Sequence, residues 1–200
     1  KFVKLLGTGK GETFTPRDAD LWQWALLVVG TEAAISEIKN SPLVKRWNHR
    51  ANESAIFDLA PISSHGRWAK QTPFTNESSE GRLPRENIGQ VAAITRARIK
   101  WSKNLTFWRA VPPVITELNR APGLIAAIGI GEAPLGLQGT FSVWRDAQSL
   151  RNFAYKTVAH NDAITATKEI GWYSEELFAR FSVISATGSV NGIEVGHTAD

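Results

Sequence analysis

These 200 residues contain neither cysteine nor methionine. Without cysteine the chain can form no disulfide, thiolate-ligated haem, zinc finger, iron–sulfur cluster or cysteine nucleophile. Without methionine even at position 1, it starts abruptly at Lys1, which reads as a trimmed or incomplete N-terminus. Lack of both oxidisable sulfur residues would suit a protein that handles oxidants, although chance plus a missing start is the better explanation. Long hydrophobic runs are missing too. The longest, Trp24 to Val29, ended by Gly30, and Leu124 to Ile130, interrupted at Gly129, are far too short to span a bilayer. No basic-then-apolar leader opens the chain, so no signal peptide is expected and the location reads as cytoplasmic. Charge of one sign is scarce: 23 Lys+Arg stand against 19 Asp+Glu, a net +4, mixed along the chain. That balance gives no reason to expect a nucleic-acid partner.

What is present fits a folded protein. Hydrophobic residues make up 42% and charged residues 21%, and the length suits one large domain or two fused small ones. Eight tryptophans point either to a large aromatic pocket or to ordinary core packing.

The second half shows the clearer pattern. Gln90 to Lys100 reads as a strand, and Trp101 to Arg120, interrupted by Pro112-Pro113, as a kinked helix or two short ones. Strands follow at Gly123 to Gly131 and Leu137 to Trp144. Asp146 caps a helix carrying Leu150, Phe153 and Ala154, and Thr157 caps another over Val158 to Ile170, stopped by Gly171. Glu175 to Val183 alternates as a last strand. The order is that of a ferredoxin-like βαββαβ unit. In the first half, strands at Phe2 to Leu6, Leu21 to Val29 and Ser54 to Leu59 surround a helical stretch, Glu32 to Arg50, broken at Ser41-Pro42. That is the same unit without its opening strand and helix.

The expected architecture is therefore α+β. Two ferredoxin-like repeats form a pseudo-dimeric α/β barrel, with an incomplete first repeat at 1–60 and a Gly/Ser/Pro-rich linker at 61–89. A complete second repeat occupies 90–183, and a mobile tail 184–200.

Few residues advertise chemistry. Gly7-Thr-Gly-Lys-Gly11 has neither phosphate-loop nor dinucleotide spacing and reads as a strand-terminating turn. Glu175-Glu176 would point to opposite faces of a strand, which argues against a concerted acid–base pair. Of four histidines, His197 falls in the tail, His65 in the linker, and His49 on a charged helix. His160 is followed by Ala163, Ile164 and Thr167 on one helical face. It is either a hydrogen-bonded core residue or, because small neighbours leave clearance for a flat cofactor, an axial haem ligand.

Several segments then carry a resemblance. They are Phe2 to Pro16, Gly66-Arg-Trp-Ala-Lys-Gln-Thr-Pro-Phe74, Ile128-Gly-Ile-Gly-Glu-Ala-Pro134 and Gln138-Gly-Thr-Phe-Ser-Val-Trp144. Phe153-Ala-Tyr through His160 and Gly171-Trp-Tyr-Ser-Glu-Glu-Leu-Phe-Ala-Arg-Phe181 complete the set. In this order they resemble the spheroidene monooxygenase family of carotenoid biosynthesis.

The resemblance implies a haem iron protein that inserts oxygen from O₂ into a carotenoid-like hydrophobic substrate, hydroxylation leading to a ketone, with electrons from a ferredoxin-type donor. It also implies a further strand and helix upstream. His160 matches the family's helix position and is the expected iron ligand. Gln138, Arg98 and Trp144 are distal-side candidates by position alone. Each has a structural alternative, as a strand entry, a surface charge and a core residue respectively. Phe141, Trp144, Phe153 and Trp172 are expected to line an aromatic cofactor pocket, and Arg98, Lys100 or Lys103 to pair with the haem propionates.

A non-catalytic haem or polyene carrier or sensor remains the alternative, as does another haem reaction, such as dehydration or nitrogen–oxygen chemistry. Phe107, Trp108, Val111 and Val114, flanked by Lys100, Lys103 and Arg109, read first as a helix packed on the sheet with a solvated basic edge, and alternatively as a peripheral membrane contact through which an insoluble substrate is collected.

Overall fold

The computed structural model describes residues 1–9, 18–74, 89–132, 137–156 and 173–198, with the backbone alone at 101, 104–111, 137, 138, 156, 197 and 198. Its strands are β1 (Phe2–Gly9), β2 (Ala19–Val29), β3 (Ala55–Gly66), β4 (Val91–Ile99), β5 (Leu124–Gly131), β6 (Leu137–Trp144), β7 (Tyr173–Val190), β8 (Ile193–Glu194) and β9 (His197–Thr198). The helices are α1 (Glu32–Asn40), α2 (Pro42–Arg50), α3 (Asn104–Asn119) and α4 (Ala147–Lys156). The fold is α+β, as its sequence order predicts.

Local chemistry sets the helix ends. Thr31 Oγ1 accepts the Ala34 N–H at 3.4 Å and starts α1. Ser41 does two jobs. Its N–H donates to Ile38 O and closes α1, while its hydroxyl accepts the Val44 N–H and opens α2, with Pro42 in the first turn. Asp146 Oδ1 accepts the Ser149 N–H at 2.7 Å at the start of α4. Of the two readings of Trp101 to Arg120, a single helix holds, since Pro112 and Pro113 lie inside the continuous α3.

Seven strands form the body of one sheet in the order β2-β1-β5-β6-β4-β7-β3, the short β8 and β9 pair only with β7, and every ladder is antiparallel. Alternation sorts the side chains of β4 and β6 into two cores. Ala92 and Ile94 of β4 and Val143 of β6 join Leu6, Ile130, Leu177, Ala179, Phe181 and Val183 in one cluster. Residues from all seven strands of the sheet pack on that cluster, including Ala25, Leu27 and Val29 of β2 and Ala55, Phe57 and Leu59 of β3. On the other face Val91, Ala93 and Trp144 pack against Ile115 and Leu118 of α3 and Leu150 of α4.

Three expectations need correction. The linker does not begin at 61, because β3 runs on through Gly66 and Trp68 and Phe74 are buried. The polar run Ser63-Ser64-His65 misled, but β3 is an edge strand, where polar residues and Pro61 at a register shift are tolerated. The tail does not begin at 184. β7 continues to Val190 because its far end pairs with the start of β3, and Val195 beyond it is fully buried. Gly7 to Gly9 is not a turn but the part of β1 that pairs with β5. The predicted helix over Val158 to Ile170 lies outside the described residues.

Candidate functional site

A charge cluster closes one end of the shared core. In β4 the core-facing positions run Ala92, Ile94, Arg96, and an arginine at the third must find partners to be buried. Arg96 is 3% exposed. Its Nη1 donates to Glu175 Oε1 at 2.5 Å, its Nη2 donates to Glu132 Oε2, and its guanidinium lies 5.3 Å from the centre of the Trp68 ring. Lys4 Nζ of β1 donates to Glu132 Oε1 at 2.6 Å. Gly139, the ladder partner of Arg96 on β6, keeps the crossing clear, since a Cβ there would stand 2.4 Å from Thr95 O and 3.2 Å from Arg96 Cα.

The cluster also holds a loop. Glu175 accepts the backbone N–H of Ala69 at 3.0 Å and of Lys70 at 2.7 Å. Ala69 and Lys70 have φ of 53° and 65°, a conformation non-glycine residues adopt only when neighbours enforce it. The same loop seats Trp68, whose indole is 1% exposed and meets Phe2 edge-on at 5.7 Å. Trp68 Nε1 faces Glu132 without completing a hydrogen bond. Beside it Leu6, Arg96, Ile130, Gly131 and Glu132 line a cavity with room for about one water.

Electrostatics lock the cluster in its charged form. Burial works against the Glu132 carboxylate, but hydrogen bonds from Lys4 and Arg96 outweigh it and lower its pKa to about 2. Glu175 is likewise depressed. Desolvation opposes the shift, and the Lys70 N–H, Arg96 and the Ala69 N–H prevail.

The structure separates the aromatic residues expected to share one pocket. Trp144 and Phe153 meet with ring centres 5.3 Å apart, on the helix-covered face. Phe141 packs on the opposite face, 5.1 Å from Phe57. An odd spacing on one strand dictates this split, so Phe141 and Trp144 do not line a common wall. Trp144 is fully buried, with Nε1 donating to Ser142 Oγ at 3.0 Å, so it sits as a core residue.

Arg98 lies two residues beyond Arg96. Its side chain is 55% exposed, and its Nη2 stands 4.0 Å from Glu132 Oε2 at the rim of the cluster. Gln138 lies on β6 beside Gly139, and its side chain is outside the described part. His160 and Trp172 are also outside the described residues. His49 and His65 are exposed, and the cavity under Trp68 is far too small for a haem.

Sequence reasoning missed Arg96, Glu132, Lys4 and the Trp68 loop. The available signal was Arg96 itself, a charge at a core-facing register of an otherwise apolar strand.

No family model matches the chain. Curated proteins do. The chain is 40% identical over 195 residues to a spheroidene monooxygenase of Rhodobacter capsulatus, covering 96% of this chain and 79% of the relative. It is 36% identical over 196 residues to the spheroidene monooxygenase of Cereibacter sphaeroides, covering 96% of this chain but only 58% of that protein. With the Rubrivivax gelatinosus spheroidene monooxygenase it shares 35% over 197 residues, 98% of this chain and 73% of the relative. Solved structures superpose with TM-scores of 0.45 to 0.48 at 10 to 15% identity, which says nothing of activity.

Proposed function

The chain belongs to the spheroidene monooxygenase family, and on that premise we propose that it is a haem-dependent oxygenase that inserts oxygen from O₂ into a carotenoid. Oxygenase activity on a carotenoid rests on the 35 to 40% identity that runs through 96 to 98% of the chain. That continuous likeness is the observation that carries the reading.

Haem dependence is the finer step. These 200 residues contain no cysteine, so none of them can ligate a haem iron through a thiolate. His160, with the small stripe Ala163, Ile164 and Thr167 following it in the sequence, is the residue we assign to the iron, and we assign Trp172 to the cofactor's surroundings. The haem when bound supplies O₂ activation, and a ferredoxin-type donor supplies the electrons. The protein's own part is to hold a dry, shaped site. The Arg96 cluster contributes by pinning the Trp68 loop over one end of the core, and Arg98 at its rim offers a cation to a propionate or to a passing polar group.

The scaffold we assign is a pseudo-dimeric α/β barrel. Two observations support it. One core cluster receives residues from all seven strands of the sheet, and Gln23 Nε2 of β2, at one end of the strand order, reaches Asn191 Oδ1 beyond β7, at the other end, at 3.3 Å. No helix among the described residues is long and apolar enough to cross a membrane. Substrate collection is assigned to peripheral contact at the basic and apolar segment of α3.

The test is aerobic turnover of spheroidene by the purified, haem-loaded protein with reduced ferredoxin, alongside its absorption spectrum with dithionite and carbon monoxide. Oxygenated product together with a histidine-type ferrous–CO band supports the reading. A haem spectrum without turnover leaves a carrier or sensor, and turnover without haem overturns the cofactor assignment.

A further inference from the structure

β7 and β8 are joined by a two-residue turn. Val190 pairs with Ile193, which leaves Asn191 and Gly192 to reverse the chain. Both are exposed, with φ of 52° and 75°. Positive φ at both central positions is the type I′ hairpin geometry, which Asn-Gly adopts readily. It is also the chain's single Asn-Gly dipeptide.

Asn-Gly has a reactivity of its own. The glycine amide nitrogen can attack the asparagine side-chain carbonyl carbon, because the following residue has no Cβ to obstruct the approach. A bond forms between that nitrogen and Cγ, the Cγ–Nδ2 bond breaks, and ammonia leaves with the proton that the glycine N–H gives up. Water then opens the succinimide ring at either carbonyl, to aspartate or to isoaspartate. No oxidant or reductant is involved. A Cβ built on Gly192 would meet nothing within 4 Å, so the turn has open space for the ring to close.

Both reactants are nevertheless held. Gly192 N–H donates to Glu53 Oε1 at 2.6 Å, and Ser189 Oγ donates to the same oxygen at 2.8 Å. These contacts, the Gly192 bond first, keep the Glu53 carboxyl below its ordinary pKa and therefore ionised at neutral pH. The short, charge-assisted bond aims the N–H at Glu53 instead of at Asn191 Cγ, and an adjacent carboxylate disfavours loss of the amide proton. On the other side Gln23 Nε2 of β2 donates to Asn191 Oδ1 at 3.3 Å. Glu53 is itself placed by its neighbour Ser54, whose carbonyl accepts the Ser189 N–H at 3.1 Å.

We propose that Asn191 is a deamidation site kept latent by Glu53. While the bond from Gly192 to Glu53 holds, ring closure waits on local opening of the turn. The product changes the structure around it. An isoaspartyl linkage adds one backbone atom to a two-residue turn, and either product sets a second carboxylate beside Glu53. Val195, fully buried and tied to Gly188 O through its N–H at 3.0 Å, follows directly on this hairpin. Modification therefore loosens β8 and unseats Val195 from the core. The proposal is independent of the catalytic reading.

The test incubates the 200-residue protein near neutral pH and follows it by tryptic digestion and mass spectrometry. Arg180 is the last Lys or Arg, so one peptide, Phe181 to Asp200, carries Asn191 as its sole amide side chain. Expected is slow conversion in the folded wild type, and conversion about tenfold or more faster in Glu53→Ala, which loses a hydrogen bond to a charged group. Glu53→Asp keeps the charge but shortens the reach, and it should also outpace the wild type. Guanidinium-unfolded wild type should match the fast rate. Converted protein, separated by ion exchange, should show faster amide exchange at Val195. Folded wild type converting as fast as the unfolded chain would overturn the latch, as would a folded Glu53→Ala or Glu53→Asp no faster than wild type. An Asn191 that stays intact in the unfolded chain would overturn the site. Unchanged Val195 exchange after conversion would overturn the structural consequence.

Discussion

Glu175 is the ladder partner of Arg98, yet its carboxylate bonds Arg96, the diagonal neighbour two residues back. The choice is electrostatic. Arg98 is 55% exposed and satisfied by water, whereas Arg96 is 3% exposed and would otherwise hold a buried, unpaired charge. Removing Arg96 leaves Glu132 with Lys4 as its hydrogen-bonded cation and Glu175 with only the Ala69 and Lys70 N–H groups, so each carboxylate loses its buried cation. Arg96→Ala should cost about 3–5 kcal/mol by urea denaturation, and Arg98→Ala under about 1 kcal/mol. Equal losses at the two sites would refute the partition.

The cluster sets an acid limit. Glu132 has a folded pKa of about 2 against an ordinary 4.5, and Glu175 is depressed in the same direction. A depressed carboxylate stabilises the fold above its unfolded pKa and loses that contribution as pH falls through its folded one. Thermal stability should therefore hold near neutrality and decline between about pH 4.5 and 2, Glu132 accounting for on the order of 2 kcal/mol. In Glu132→Gln the slope over this range should flatten, and an unchanged slope would count against the assignment.

Trp144 offers a choice between core and catalysis. Fully buried and stacked near Phe153, it should behave as core. Trp144→Ala should cost about 3–5 kcal/mol, while Trp144→Phe, which keeps most of the packing, should retain oxygenase activity in proportion to folded protein. A well-folded Trp144→Phe without turnover would return the residue to the reaction site.

Gly66 ends β3 with φ of 90°, and a Cβ there would stand 2.1 Å from Glu176 O. Gly66→Ala should destabilise by more than about 1 kcal/mol and loosen the loop that seats Trp68. Limited proteolysis at Arg67 or Lys70 would report that loosening, and wild-type resistance would speak against it.

Among the histidines, His160→Ala should lose haem on desalting and regain part of the spectrum with added imidazole. His49→Ala and His65→Ala, at exposed positions, should retain it. An unaltered Soret band in the His160 variant would remove it as the ligand.

Much of the fold was legible in the sequence because period and caps are local signals. Leu137 to Trp144, the Ser41-Pro42 break and the Asp146 cap all stand as read. The ends of β3 and β7 were not legible, because polar residues there are held by ladder partners more than 100 positions away, Ala55 to Gly188 among them. The Arg96 cluster was hidden for a related reason. Its members come from β1, β4, β5 and β7 and from the segment just past each strand's core, and no spacing in the chain announces that they converge.

The two halves are joined along two unequal seams. β3 and β7 pair from Ala55 to Gly66, while β1 and β5 pair only from Gly7 to Gly9, through a run rich in glycine. The Lys4 to Glu132 ion pair reinforces the shorter seam from the side. Thermal fluctuation therefore concentrates at β1–β5, where the fewest backbone bonds must break. Gly129 to Gly131 should exchange their amides well ahead of the β3–β7 ladder, and faster still as salt weakens the ion pair. The side that carries Lys4 is thus the one expected to part first, and the β3–β7 side the one expected to hold.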